Sequence, residues 1–125
     1  PLPRQAKQIL KRQKEISAEG IVFKSGTYSR FSGWAISDGT LLKVLKRLGI
    51  NDLHAHGFRS MFATFAIRAT DGERAMFEKR IIDEVLLHAP SSEVDKAYFR
   101  DFNSREHLRV LQWWADYLEG LAPLF

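Results

Sequence analysis

His56 and Arg59 open the stretch "HGFRSMFATFAIRA", residues 56–69, and stand three positions apart, on one face of any helix formed there. A guanidinium is permanently charged and can hold two oxygens of an anion at once, while an imidazole exchanges protons near neutral pH. Read alone, the two are a surface pair at a helix start, with Arg59 satisfied by a neighbouring carboxylate. "VLLHAP" places His88 at the end of an apolar segment, where an imidazole suits a helix dipole. Tyr98 follows ten residues later and, by itself, reads as a packing residue. A phenol with a pKa of about 10 is mostly neutral at pH 7 and has to be activated before it can act as a nucleophile.

The elements that must position these residues are mostly helical. Residues 5–18 form an amphipathic pattern with Ala6, Ile9, Leu10 and Ile16 on one side, closed by Gly20. Residues 21–23 read as a short extended piece. Residues 24–39, rich in Gly and Ser, read as a long loop of the kind that is usually functional or mobile. A second helix spans "TLLKVLKRLG", capped by Thr40 or Asp38, with Gly49 past its end. Phe58, Met61, Phe62 and Phe65 then recur at helical spacing over 57–69 and ask for a core. "TDGERAMFEKRIIDEVLLHA" begins with a turn and repeats Phe77, Ile81 and Val85 before Pro90. A short helix over "SSEVDKAYFRDF" follows, capped by Ser91 or Ser92. Ser104 starts the last helix, with Leu108, Leu111, Ala115 and Leu118 along one side. The expectation is a mostly α chain of about six helices with little or no sheet.

At 125 residues, 45% of them hydrophobic, the chain suits one domain with a core of its own. Nineteen Lys and Arg against fifteen Asp and Glu give a net charge of +4, compatible with a polyanionic partner without requiring one. The absence of cysteine excludes a disulfide framework and thiolate metal sites. No apolar run approaches the roughly 20 residues of a membrane-spanning helix. The first residues, "PLPRQ", lack an initiating Met and suggest a piece of a longer protein.

Taken together, "HGFRSMFATFA" and "LLHAPSSEVDKAYFR" resemble two boxes of the tyrosine recombinases, in particular the phage and genomic-island integrases. The first matches that family's His-x-x-Arg box and the second its Leu-Gly-His followed by a nucleophilic Tyr. The tail "SREHLRVLQWWADYL" resembles the end of the genomic-island integrases, and "PLPRQAKQIL" the segment after their catalytic hairpin. His-x-x-Arg alone is a weak motif; with the second His and the Tyr in order it is specific. The resemblance covers residues 1–125 and implies the C-terminal part of a recombinase catalytic domain.

That resemblance implies DNA cleavage and rejoining through a 3′-phosphotyrosyl intermediate. Tyr98 would attack the scissile phosphate, Arg59 would grip its non-bridging oxygens, and His56 and His88 would hydrogen-bond or handle protons. Bond energy kept in the phosphotyrosine would make ATP, a metal or any other cofactor unnecessary. The partners implied are double-stranded DNA and, in the full-length protein, further copies of the same chain in a tetramer on DNA. The setting implied is the bacterial cytoplasm, at the nucleoid, with no membrane association.

The family's first Arg and its hairpin Lys would lie before residue 1, so the isolated piece is expected to be inactive. Leu87 stands where the family has a small residue before the His, a change expected to crowd the pocket. A different class of function, a degenerate DNA-binding or assembly module that keeps the fold, remains the alternative. Outside the motif, Lys43, Lys46 and Arg47 form a basic edge on the second helix, suited to DNA phosphates or simply to solvent. Trp113, Trp114 and Tyr117 read as core or as a partner contact, and Asp83 and Glu84 as surface helix charges. "HAH" at 54–56 is too thin for a metal site.

Overall fold

A computed structural model of the chain describes residues 1–17, 20–37, 39–87 and 104–122, the side chain of residue 55 aside. Among them lie five helices, α1 (Arg4–Ile16), α2 (Thr40–Arg47), α3 (Ala55–Arg68), α4 (Lys79–Val85) and α5 (Ser104–Leu121). Two small antiparallel pairs accompany them: β1 (Lys24–Ser29) with β2 (Gly33–Ala35), and β3 (Thr70–Asp71) with β4 (Arg74–Ala75). The chain is therefore mostly helical, as expected. The possible Asp38 cap, Pro90 and the short helix expected over 91–102 lie outside the described residues.

Contacts divide the chain into two compact units, one formed by Gln5–Phe58 and the other by Pro1–Arg4 with Arg59–Phe125. The first contains a correction to the sequence reading. Residues 24–35, expected to be loop, form a hairpin pairing Lys24 with Ala35 and Ser29 with Gly33, irregular between those points. Thr27, Tyr28 and Trp34 favour extended backbone, and the Gly and Ser between them hide that preference from a composition count. In α2 the cap is Gly39, without a side-chain cap bond, rather than Thr40. At its other end Gly49 takes φ +78°, Ile50 N–H reaches the Leu45 carbonyl at 3.0 Å, and Gly49 N–H reaches that of Lys46 at 3.1 Å. This is the Schellman closure, which glycine enters without strain. On α1, Ile9 and Ile16 are exposed, contrary to the expected apolar side.

The second unit holds the main core, made of Phe62 and Ala66 of α3, Phe77 before α4, Ile81, Ile82 and Leu86 of the α4 segment, and Val110 of α5. Ile82 and Val110 have no exposed surface. Two expected faces shift here. On α3, Phe58, Met61 and Phe65 are exposed while Phe62 and Ala66 are buried. On α5 the buried residues are His107 and Val110, and Leu108, Leu111, Ala115 and Leu118 lie on half-exposed or exposed surface. Trp113, Trp114 and Tyr117 edge the core, with Phe77–Trp113 ring centroids at 5.2 Å, Phe62–Trp114 at 5.7 Å and Phe65–Tyr117 at 5.4 Å. Gly72, at φ +63°, leads the two-residue turn that joins β3 to β4, the Gly-first pattern of a II′ hairpin.

Helix α4 ends with one of the two bonds that close α2, made by a different residue. Leu87 N–H bonds to the Glu84 carbonyl at 3.0 Å, and Leu87 itself takes φ +52°. Its side chain is 85% exposed, and its left-handed backbone carries a strain that a large residue does not relieve; the pocket it was expected to crowd lies outside the described residues. Leu87→Gly is accordingly expected to stabilise the chain by about 1 kcal/mol, less the entropy glycine adds to the unfolded state. Thermal unfolding checks this: a midpoint higher by roughly 2–5 °C is expected, and an unchanged or lower one would show that the left-handed strain does not exceed the entropy cost of glycine.

Candidate functional site

Helix α3 carries His56 in its first turn and Arg59 at the start of its second, three residues apart on a continuous helix. Gly57 N–H bonds to the His54 carbonyl at 2.8 Å, which starts the helix, and no acidic residue occupies its first turn. That turn therefore supplies no carboxylate of its own to the positive pole of the helix. His56 is exposed and Arg59 half-buried, so each has surface open to solvent. Arg59 offers a permanent cation and His56 an imidazole, side-chain types that each suit an oxyanion such as phosphate. His88 and Tyr98 lie outside the described residues.

Lys43, Lys46 and Arg47 are exposed on α2 at i, i+3 and i+4, so the basic edge read from the sequence exists as one helix face. They form no ion pair with a described residue. Among the described residues no group of three or more His, Asp or Glu could hold a metal ion, and no described helix is long and apolar enough to cross a membrane. A depression of about 240 Å³ lined by Phe77, Glu78, Arg80, Ile81, Glu106 and Arg109 includes neither His56 nor Arg59, and its mixed charge does not suit a phosphate.

The comparisons with known proteins point the same way as the motifs. The Integrase of Enterobacteria phage P4 is 29% identical over 123 residues, covering 95% of this chain and 26% of that protein. The Putative protein IntB of Escherichia coli K12 is 28% identical over 124 residues, covering 95% of this chain and 29% of that protein. The chain is related to the integrases. It spans about a quarter of the length of the curated relatives it matches. No family model matches it, and no solved structure does.

Sequence reasoning missed one polar assembly in this integrase relative. Glu84, read as a surface charge, is 6% exposed, and His107 on α5 is 5% exposed. His107 Nε2 lies 2.7 Å from Glu84 Oε2, and the Arg80 guanidinium donates to the other carboxylate oxygen. Each carboxylate oxygen thus has a partner, which is the condition for keeping an acid inside a core. Around it, Lys79 pairs with Asp83 at 2.5 Å, and Arg109 lies 5.4 Å from the Phe77 ring centroid while donating to the Met76 carbonyl at 3.3 Å. The available signal was His107 itself, three residues before Val110 on the buried stripe. Its partner, 23 positions earlier, could not be found by local periodicity.

At the periphery, Arg4 bonds Glu119 at 2.7 Å and Asp116 at 3.5 Å, and the hydrogen bond to Glu119 raises its guanidinium pKa further above the ordinary value. Arg4 is too exposed for this to matter to stability. The buried pair is different. His107→Ala is expected to cost about 3–5 kcal/mol, since it opens space and leaves the Glu84 carboxylate short of a partner. A double-mutant cycle with Glu84→Ala, followed by denaturant unfolding, should give a coupling above about 1 kcal/mol. Additive losses would mean that the two residues act only by filling volume.

Proposed function

We propose that this chain is the C-terminal part of the catalytic domain of a tyrosine-type, site-specific DNA recombinase of the prophage or genomic-island kind. The observation that carries the reading is the three-residue spacing of His56 and Arg59 near the start of α3, each with surface open to solvent and with no acidic residue in the helix's first turn, in a chain related to integrases over 95% of its length. Two further residues of the motif, His88 and Tyr98, follow in the order the chemistry requires.

In this reading the Tyr98 phenol oxygen attacks the scissile phosphorus. A phosphotyrosyl ester forms at the 3′ side as the bond to the 5′ oxygen breaks. The phenolic proton is taken up and the leaving 5′ oxygen receives one, roles that His56 and His88 are suited to share. Arg59 offsets the charge that builds on the non-bridging oxygens in the transition state. Reversal, with a different 5′ hydroxyl attacking the phosphotyrosine, rejoins the strand, so no external energy source is consumed. Lys43, Lys46 and Arg47 neutralise backbone phosphates of double-stranded DNA. The full-length protein assembles as a tetramer on DNA, in the bacterial cytoplasm, and supplies the remaining cationic catalytic groups from the part of the enzyme before residue 1.

Two substitutions in the full-length protein test this. Tyr98→Phe should abolish the covalent protein–DNA adduct, seen as a DNA-linked band under denaturing conditions, while DNA binding persists. An adduct that survives removes Tyr98 from the role. Arg59→Ala should slow cleavage by about 10²–10³-fold, the usual loss for one electrostatic donor to the transition state. An unaltered full-length protein that binds DNA and never forms an adduct would instead be the non-catalytic module.

A further inference from the structure

The β1–β2 hairpin is not used by the reading above, yet it concentrates aromatic and cationic side chains on exposed surface. Tyr28 is 61% exposed, Trp34 47% and Phe31, at the tip, 93%. Tyr28 and Trp34 meet edge to face with centroids at 5.5 Å, and Lys24 Nζ sits 5.3 Å from the Trp34 ring centroid, so these three residues share one face. The Arg30 guanidinium lies 5.8 Å from the Phe31 ring centroid. The tip is also held in place. Ser29 Oγ accepts from the Phe31 N–H at 3.2 Å and from the Ser32 N–H at 3.4 Å, and Gly33 turns the chain at φ +60°.

Charge decides what such a surface fits. Residues 20–37 contain Lys24 and Arg30 and no acidic residue. The whole unit Gln5–Phe58 carries nine Lys and Arg against four Asp and Glu, whereas the rest of the chain has ten against eleven. The positive charge of the protein thus resides in the unit that bears the hairpin. An apolar protein surface would satisfy the rings and leave the cations unused; a polyanion with flat, stackable or methyl-bearing groups satisfies both. A two-stranded ribbon is also of the width that the major groove of duplex DNA admits.

We infer that the β1–β2 hairpin is a DNA-contacting element in its own right, entering a groove of duplex DNA with Phe31 against the bases and Arg30 and Lys24 on the flanking phosphates. This deepens the recombinase reading and rests on it only for the identity of the polyanion. The contact lies outside the chemistry of Arg59 and Tyr98. It adds grip and orientation, since phosphate contacts position a protein on the duplex while groove contacts sense the bases.

The test is a fluorescence-anisotropy titration of a fluorescein-labelled, mixed-sequence duplex with the 125-residue chain at several salt concentrations, alongside Phe31→Ala and Arg30→Ala. Both sites are exposed, so both variants should keep the parent's unfolding midpoint. Each should bind about tenfold more weakly, and Arg30→Ala should lower the slope of log K against log salt by about one. Variants that bind with the parent's affinity and slope overturn the hairpin contact and leave the recombinase reading standing. An unaltered chain that fails to bind duplex DNA overturns the hairpin contact, while the adduct assay on the full-length protein decides the recombinase reading separately. Variants that alter self-association in sedimentation, with DNA affinity unchanged, make the hairpin a protein contact and also overturn the inference.

Discussion

Helix α4 cannot stand without α5. Seven residues are too few to hold a helix in water, because nucleation costs more than one or two turns return. What holds it is burial on α5: Ile81, Ile82 and Leu86 join Val110 in one core, with the Glu84 carboxylate tied to His107 from the same helix. Burying an Ile side chain contributes about 2–3 kcal/mol, so Ile81 and Ile82 outweigh both the poor intrinsic stability of α4 and the left-handed Leu87 at its end. Docking on α5 thus holds the described chain in place up to its left-handed turn at Leu87.

Helix α3 shows how one segment serves two ends. Its N-terminal end carries His56 and Arg59 and its middle carries Phe62 and Ala66 into the core. The rings of Phe62 and Phe65 meet those of Trp114 and Tyr117, which fixes the rotation of α3 about its own axis. Since Arg59 stands three residues before Phe62, on the same side of the helix, that rotation also sets where the guanidinium points. Arg59 is accordingly half-buried rather than fully exposed.

The positions of α2, α3 and α5 were legible because each carries strong helical periodicity and a clear start or stop, such as Gly49 after α2. The phase of the faces was less so. In α5 the stripe of Leu108, Leu111, Ala115 and Leu118 is as regular as the stripe of His107, Val110, Trp114 and Tyr117 beside it. Hydrophobicity counted by residue favours the first, yet the two buried residues of the helix, His107 and Val110, belong to the second. A polar residue can occupy a core stripe only if a partner is supplied from elsewhere, and Glu84 comes from another helix. The hairpin was missed for the opposite reason, since short strands carry few residues per face and Gly and Ser dilute the pattern. Of the candidate site, the helix bearing His56 and Arg59 was legible from spacing alone. Linking them with His88 and Tyr98 required resemblance to a family, because no local rule connects residues up to 42 positions apart.

Leu87 separates what the chain needs from what it tolerates. In α2 the residue closing the helix is Gly49 at φ +78°, and in α4 the equivalent position is a leucine at φ +52°. The hydrogen bonds that end the two helices correspond, Gly49 to Lys46 and Leu87 to Glu84, so the backbone requirement is the same in both. A glycine meets it freely; a leucine meets it against a penalty of about 1–2 kcal/mol. The large, 85% exposed side chain gains little packing in return. The left-handed turn is thus imposed by the way α4 ends on its core. The small residue that the integrase resemblance leads one to expect at position 87 has a backbone reason, independent of any pocket beside it.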